Sequence, residues 1–287
     1  MNPSIETFTT PYGRFTIDMV ADAKMAATLR HGEHHQEDAI EILNAFITPE
    51  SVVVDAGAHI GTIAIPLAQY ASRVIAYEPD PYTFTLLQKN NELNGTHLDM
   101  RNAGLGEHAS RGSIVPVRMG NAGAHTLTVG NGPVSIVALD DEFATFDVLK
   151  IDVEGMELSV LQGARRIIEE VHPVILFEVN LSQLRLHATT LTELESFFFT
   201  HGYDLFLPLR THDVLHLGRI GSLSLVTLCT MPGAYLFFHA SSTFDVLAVP
   251  KERMHPFPSL SRLSTVWRLV IGNVKDKGGR LRRILKK

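Results

Sequence analysis

Apolar runs and helical patterns alternate along most of the chain. Four continuous apolar runs stand at 51–56 (SVVVDA), 73–79 (RVIAYEP), 146–155 (FDVLKIDVEG) and 173–180 (PVILFEVN). Such runs are typical of strands that are buried on both faces. Between them, 81–94 (PYTFTLLQKNNELN) and 156–170 (MELSVLQGARRIIEE) have the apolar spacing of amphipathic helices. Strands that alternate with helices predict an α/β fold, with a mainly parallel sheet and helices on both faces.

Further segments fit the same pattern. We predict strands at 14–18, 97–105, 203–209 and 245–250, and helices at 34–47, 60–71 and 190–202. Pro66 lies inside the second of these helices and either bends or shortens it.

The pattern divides the chain into three parts. Residues 1–50 form an N-terminal strand and helix that cap the site, and 51–250 form the main domain. Within it, 111–137 is rich in glycine and β-formers and is interpreted as a hairpin insert. The insert is either a flap that selects the acceptor or a plain edge hairpin. Residues 251–287 form a basic, amphipathic tail.

Composition excludes several classes of function. Cys229 is the only cysteine among 287 residues, so neither an intrachain disulfide nor a cysteine-based metal site can form. We find no signal peptide and no apolar run of about 18 residues, and we therefore expect a cytoplasmic protein. The net charge of −6 argues against a general nucleic-acid binder, so no nucleic-acid partner is expected.

The tail differs in charge from the rest of the chain. Eleven lysines and arginines stand against two acids over 251–287. Leu263, Val266, Trp267 and Val270 have helical spacing there. The tail either lies on an anionic membrane, peripherally at its inner face, or packs on the body or on a second subunit of a homodimer.

Glycines and acids stand where the first two apolar runs end. Asp55, Gly57 and Gly61 follow the first run, and Glu78 ends the second, 23 residues after Asp55. Ligands of open parallel sheets bind at these carboxyl ends. The dinucleotide fingerprint G-x-G-x-x-G and the P-loop are both absent. An acid directed into the site suits a cationic donor that lacks phosphate, and S-adenosylmethionine is such a donor.

Several segments together resemble one family. The segments are VVVDAGAHIG, IAYEPD, RNAGLGE, LKIDVEGMELSVLQGA and PVILFEVN. They are similar to the FkbM family of S-adenosylmethionine-dependent methyltransferases over about residues 37–180. The resemblance implies a class I methyltransferase, Rossmann-like fold with a seven-stranded sheet. It also implies O-methylation of a small-molecule or glycan acceptor, such as a sugar or a natural product.

The resemblance assigns the cofactor-binding residues. It places Asp55, Gly57 and Gly61 around the methionine part of the donor, and Glu78 with Pro79 at the ribose. Asn102 and Ala103 would lie near the adenine. Asp152 would lie near the methyl group, and Glu37 above the donor. His59 stands where the family usually has asparagine, and we keep it as a candidate both for donor binding and for catalysis.

The general base is one of several side chains. Asp152, Glu154 and His59 are the catalytic candidates, and the first two are favoured by their place after the fourth strand. His125 and Glu178 also carry suitable groups. Acids at this position equally suit the start of a helix. Asp152, Glu154 and Glu178 offer oxygen ligands, but no compact motif is present and no metal is predicted.

Two other functions remain open at this point. A nicotinamide-dependent oxidoreductase would use the same strand ends, although the third glycine of its fingerprint is missing. A non-catalytic module that binds S-adenosylmethionine and regulates a partner would keep the donor site without any transfer.

Overall fold

The computed structural model describes residues 4–34, 36–116, 125–208, 214–217, 243–253 and 259–260. Its strands are β1 (Ile5–Thr10), β2 (Gly13–Asp18), β3 (Val52–Ala56), β4 (Arg73–Tyr77), β5 (Asp99–Arg101), β6 (Gly104–Leu105), β7 (Ser110–Pro116), β8 (His125–Val129), β9 (Val134–Val137), β10 (Val148–Ile151), β11 (Val174–Asn180), β12 (Tyr203–Pro208), β13 (Val214–Leu217), β14 (Thr243–Pro250) and β15 (Ser259–Leu260). Its helices are α1 (Ala23–Arg30), α2 (Glu37–Asn44), α3 (Ala64–Leu67), α4 (Pro81–Asn94), α5 (Leu139–Glu142), α6 (Glu157–Gln162), α7 (Arg165–Val171), α8 (Leu181–Leu186) and α9 (Leu191–Thr200). Apart from 251–253 and 259–260, the predicted tail lies outside the described residues, and so does Cys229.

Within the described residues, nine strands form one large sheet, in the order β15-β13-β12-β14-β11-β10-β3-β4-β5. The strands from β11 to β5 are parallel to one another. β14 lies antiparallel between β11 and β12. The predicted α/β fold with a mainly parallel sheet is confirmed. The sheet has nine strands where we expected seven, because β13 and β15 extend it beyond β12.

Helices cover both faces of this sheet. Successive residues of a strand point to opposite faces. Val54 packs in one core cluster, with residues of α6, α7 and α9, whereas Val53 packs in a second cluster, with residues of α1 to α4. The apolar runs of the sequence are therefore buried on both sides, as their composition indicates.

A smaller sheet stands beside the large one. Its order is β6-β9-β7-β8, and β7 and β8 form an antiparallel hairpin within the segment predicted as an insert. Residues 117–124, between these two strands, are outside the described residues. The single strand predicted over 97–105 is two strands, because Gly104 and Leu105 pair with β9 instead of following β5.

Two predicted helices are shorter in the structure. The helix expected over 60–71 is reduced to α3, with Pro66 inside it. The helix expected over 156–170 is divided into α6 and α7. A Cβ atom on Gly163 would lie 2.0 Å from the carbonyl oxygen of Gly106, so the backbones approach closely there. The carboxylate of Asp140 then accepts hydrogen bonds from Arg166 N and Ile167 N at the start of α7.

The N-terminal hairpin β1–β2 is joined to α4 by asparagine side chains. Asn90 is fully buried. Its Oδ1 accepts a hydrogen bond from Thr16 N at 2.7 Å, and its Nδ2 donates to Thr16 O and to Ile60 O. One side chain thus connects β2, α4 and the segment after β3. Among the described residues, no helix has the length and apolar character required to cross a bilayer.

We predict that Asn90→Ala lowers the free energy of unfolding by about 1–3 kcal/mol, because Thr16 N would be left buried without an acceptor. Asn94→Ala is the matched control. It removes a similar pair of exposed bonds, to Arg14 N and Arg14 O, which water can replace, together with one part-buried bond to Asn90 O. Urea denaturation of the two variants measures the difference. Equal losses of stability would contradict the role assigned to Asn90.

Candidate active site

A cleft opens at the carboxyl ends of β3, β4 and β10. Its empty volume is about 970 Å³, including space open to solvent. Gln36 of the N-terminal part lines one side of the cleft, and Ile114, His125 and Leu127 of the β7–β8 hairpin line another. The cleft thus lies where ligands of open α/β sheets bind.

The two glycines after β3 have different surroundings. Gly57 has a φ of +84°, and a Cβ atom there would lie 1.8 Å from the carbonyl oxygen of Asp152. Gly57 lines the cleft and lets the end of β10 approach the end of β3. A Cβ atom on Gly61 would instead meet Ile65 and Leu87 at 2.8 Å, so Gly61 serves the packing of helices.

Glu78 organises the turn on the other side of the cleft. Its Oε2 accepts a hydrogen bond from His59 N at 2.9 Å, and its Oε1 accepts one from Asp80 N at 2.8 Å. Burial raises the pKa of Glu78 to about 7, although the charge of His59 and these two hydrogen bonds oppose the shift. Asn102 Nδ2 donates to Glu78 O and Pro79 O, which fixes the backbone behind the carboxylate.

His59 is paired with an acid of the N-terminal part. Its Nε2 lies 3.2 Å from Oδ2 of Asp22. Burial by itself would lower the pKa of His59, but the Asp22 carboxylate and the nearby charges of Glu78 and Asp152 outweigh burial and raise it. This pairing favours a positively charged His59 that joins the N-terminal part to the cleft.

A buried lysine is among the residues that line the cleft. The Lys150 side chain is fully buried, and its Nζ lies 3.3 Å from Asp245 Oδ1 and 3.8 Å from Asp152 Oδ2. Burial opposes its charge, yet the carboxyl groups of Asp245, Asp152, Glu178 and Asp55 raise the pKa of Lys150. The ammonium is therefore the positive centre around which these acids are grouped.

Asp152 has polar partners from two parts of the chain. Gln36 Nε2 donates a hydrogen bond to Asp152 Oδ2 at 2.9 Å, and the Lys150 ammonium faces the same oxygen. α6 begins only at Glu157, so the helix-capping role considered for Asp152 is not what the structure shows.

The surroundings of Glu154 raise its pKa. Burial, together with the charges of Asp152 and Glu157, raises the pKa of Glu154 to about 8. Asn180 Nδ2 donates a hydrogen bond to Glu154 Oε2 at 3.0 Å. A carboxyl group with a pKa in this range can exchange a proton at neutral to mildly alkaline pH.

Carboxyl oxygens of Asp152, Glu154 and Glu178 lie within 4.8 Å of one another. Burial and the charge of Asp152 raise the pKa of Glu178 well above its ordinary value. The Lys150 ammonium lies 3.8 Å from Asp152 Oδ2 and supplies positive charge beside this group of acids. That no metal is needed stays a prediction.

The structure brings most of the predicted site residues together. Those that line the cleft are Asp55, Gly57, His59, Glu78, Pro79, Ala103, Asp152 and Glu154. Glu37, Gly61 and Asn102 are not among the lining residues. Glu37 accepts a hydrogen bond from Tyr12 Oη instead, because α2 begins there and the preceding residue, Gln36, enters the cleft.

Sequence reasoning missed Gln36 and Lys150. A lysine inside the otherwise apolar strand VLKI is a recognisable sign of a paired, buried charge. No comparable pattern marks Gln36, whose contact with Asp152 joins residues 116 positions apart.

Comparisons with known proteins identify the family of the chain. The family model described as Methyltransferase FkbM domain matches residues 55–205. The hexuronic acid methyltransferase AglP of Haloferax volcanii is 32% identical, over 56% of this chain and 68% of that protein. Methyltransferase 1 of Beauveria bassiana is 29% identical, over 40% of this chain and 58% of that protein.

One solved structure bears the same family name. The crystal structure of Methyltransferase FkbM from Methylobacillus flagellatus has 25% sequence identity and a TM-score of 0.34, and the match covers 46% of this chain and 33% of that chain. The family match and the relative from Haloferax volcanii confirm that the chain is a methyltransferase enzyme. The chain belongs to the FkbM methyltransferase family.

Proposed function

We propose that the chain transfers the methyl group of S-adenosylmethionine to a hydroxyl of a sugar, glycan or natural-product acceptor. The observation that carries this proposal is the group of acids Asp55, Glu78 and Asp152 at three strand ends around one cleft. The donor has an ammonium, a sulfonium and a ribose but no phosphate, so acids suit it where a phosphate cradle would not.

Asp55 and Glu78 fit two parts of the donor. Asp55 Oδ2 is buried and has no hydrogen-bond partner within the described part of the chain. Burial raises the pKa of Asp55 to about 7, against the effect of Lys150, and a bound ammonium would stabilise its ionised form. Each oxygen of Glu78 accepts one backbone N–H and keeps a second lone pair, so the carboxylate can still accept both ribose hydroxyls.

Glu154 fits the role of general base in this proposal. As the acceptor oxygen attacks, the bond from sulfur to methyl breaks, the bond from oxygen to methyl forms, and the hydroxyl proton passes to the Glu154 carboxylate. Much of the rate comes from holding the three reacting atoms in line. Asp152, which is in contact with Lys150 and Gln36, places a carboxyl group near the proposed position of the sulfonium.

The relative from Haloferax volcanii supports a sugar acceptor, because its name states that it acts on a hexuronic acid. Residues Gln36, Glu154 and Asp152 present amide and carboxyl groups to the cleft. Such groups hydrogen-bond to hydroxylated rings, which agrees with a carbohydrate acceptor.

For the donor, we predict micromolar binding of S-adenosylhomocysteine in calorimetric titration. Glu78→Gln should weaken it roughly tenfold or more, because an amide cannot accept from two backbone N–H groups and two ribose hydroxyls at once. Glu92→Gln, an exposed change on α4, is the matched control and should bind like the native chain. Thermal unfolding of each variant checks that the fold is intact.

Two results would count against the donor assignment. One is native affinity for S-adenosylhomocysteine in Glu78→Gln. The other is binding of NADH in place of S-adenosylhomocysteine, which would support a nicotinamide-dependent oxidoreductase instead.

For the base, we predict that kcat/KM rises with pH and levels off above about 8, since a carboxyl group with that pKa is protonated, and cannot accept a proton, below it. Glu154→Gln should lower kcat roughly a hundredfold or more and remove this pH dependence, while S-adenosylhomocysteine still binds. The assay follows formation of S-adenosylhomocysteine with neutral and uronic-acid methyl glycosides as acceptors.

Glu157→Gln is the matched control for this change. Glu157 Oε1 accepts a hydrogen bond from Gly155 N at 2.9 Å, and an amide oxygen can keep that bond. Glu157→Gln should therefore retain turnover, while the pH at which kcat/KM levels off should fall, because the charge of Glu157 contributes to the raised pKa of Glu154. If Glu154→Gln retained full turnover, Glu154 would not be the base.

A further inference from the structure

The β7–β8 hairpin contributes a wall of the cleft beside the turn after β4. Ile114, His125 and Leu127 of the hairpin line the same cleft as Glu78 and Asp80. Ile114 pairs with Leu127 in the register of the two strands, so their backbones are fixed side by side. Leu127 is buried and packs against Val134, Ile136 and Met156. The apolar side chains of this wall are therefore held in place by the residues packed against them.

Contacts of Thr126 fix the position of the hairpin. Its Oγ1 donates a hydrogen bond to Glu154 O at 3.0 Å and lies 2.8 Å from His187 Nε2. Thr126 is buried. The residue next to His125 is thus tied to the loop after β10, which places His125 relative to the rest of the cleft.

His125 presents a polar atom whose hydrogen bonding is incomplete. Its Nδ1 is buried and has no hydrogen-bond partner within the described part of the chain. Asp80 Oδ2 lies 3.6 Å from this atom, and the contact with His125 lowers the pKa of Asp80. Asp80 Oδ1 accepts a hydrogen bond from Thr83 N at the start of α4, so the carboxylate is held in place. Two fixed polar groups therefore face the cleft together.

We propose that the β7–β8 hairpin binds the nucleoside half of the methyl donor, with His125 and Asp80 as polar contacts and Ile114 and Leu127 as apolar contacts. The inference rests on the proposed donor, S-adenosylmethionine. A purine has apolar faces and a polar edge, and this wall offers both kinds of surface. It also adjoins Glu78, to which the ribose is assigned, and Ala103 lines the same cleft.

The test compares two ligands that share the nucleoside. S-adenosylhomocysteine carries the amino-acid part, and 5′-methylthioadenosine lacks it. Calorimetric titration of the full chain should show that His125→Ala weakens both ligands by the same factor, roughly tenfold. His125→Gln, which keeps a polar group of similar reach, should recover most of the affinity. His108→Ala is the matched control, since the His108 side chain is 81% exposed.

The outcomes separate this inference from the donor assignment. If the native chain binds S-adenosylhomocysteine and His125→Ala binds both ligands equally well, only the role of the hairpin is overturned. Loss confined to S-adenosylhomocysteine would also overturn it, because the hairpin would then contact the amino-acid half. If the native chain binds neither ligand, the donor assignment is overturned, and this inference, which depends on it, is overturned as well. Thermal unfolding of His125→Ala and His125→Gln confirms that both variants are folded.

Discussion

The buried ammonium of Lys150 is the constraint on which the site depends. A charge this deeply buried is costly unless it is paired and hydrogen-bonded. The pairing of strands in the sheet brings acids close to this ammonium. Lys150 on β10 stands opposite Asp55 on β3. The antiparallel strand β14 brings Asp245 to within 3.3 Å of Nζ and places it opposite Glu178 on β11. Four strands therefore contribute to one charged group at the cleft.

This arrangement explains why so many acids can share one cleft. Without Lys150, the mutual repulsion of Asp55, Asp152 and Glu178 would add to their burial, and both effects raise pKa values. Lys150 lowers the pKa values of Asp55 and Glu178 against the effect of burial, whereas burial and the charges of Asp152 and Glu157 raise the pKa of Glu154 to about 8. The cleft then has carboxyl groups at the proposed position of the cationic donor. The Glu154 carboxyl group, proposed as the proton acceptor, lines the same cleft.

The sequence predicted the strand ends well and the supporting contacts poorly. Asp55, Glu78 and Asp152 were identifiable because each ends an apolar run, and the carboxyl ends of parallel strands meet at one edge. The role of Lys150 was not identifiable from the sequence, because it depends on Asp245, which stands 95 residues away on an antiparallel strand. The predicted residue Glu37 lies outside the cleft lining for a related reason: the start of α2 turns Gln36 into the cleft, and helical spacing alone does not fix that boundary.

Backbone strain is concentrated at the same cleft. Gln36, His59 and Glu154 all line it, and all three have positive φ values, of 63°, 52° and 52°. Side chains other than glycine rarely adopt this region, and such conformations persist when the surroundings determine them. Here each has a specific bond: Gln36 to Asp152, His59 N to Glu78, and Glu154 to Asn180. The bonds that hold the strained residues are thus also the bonds that orient the acids around the cleft.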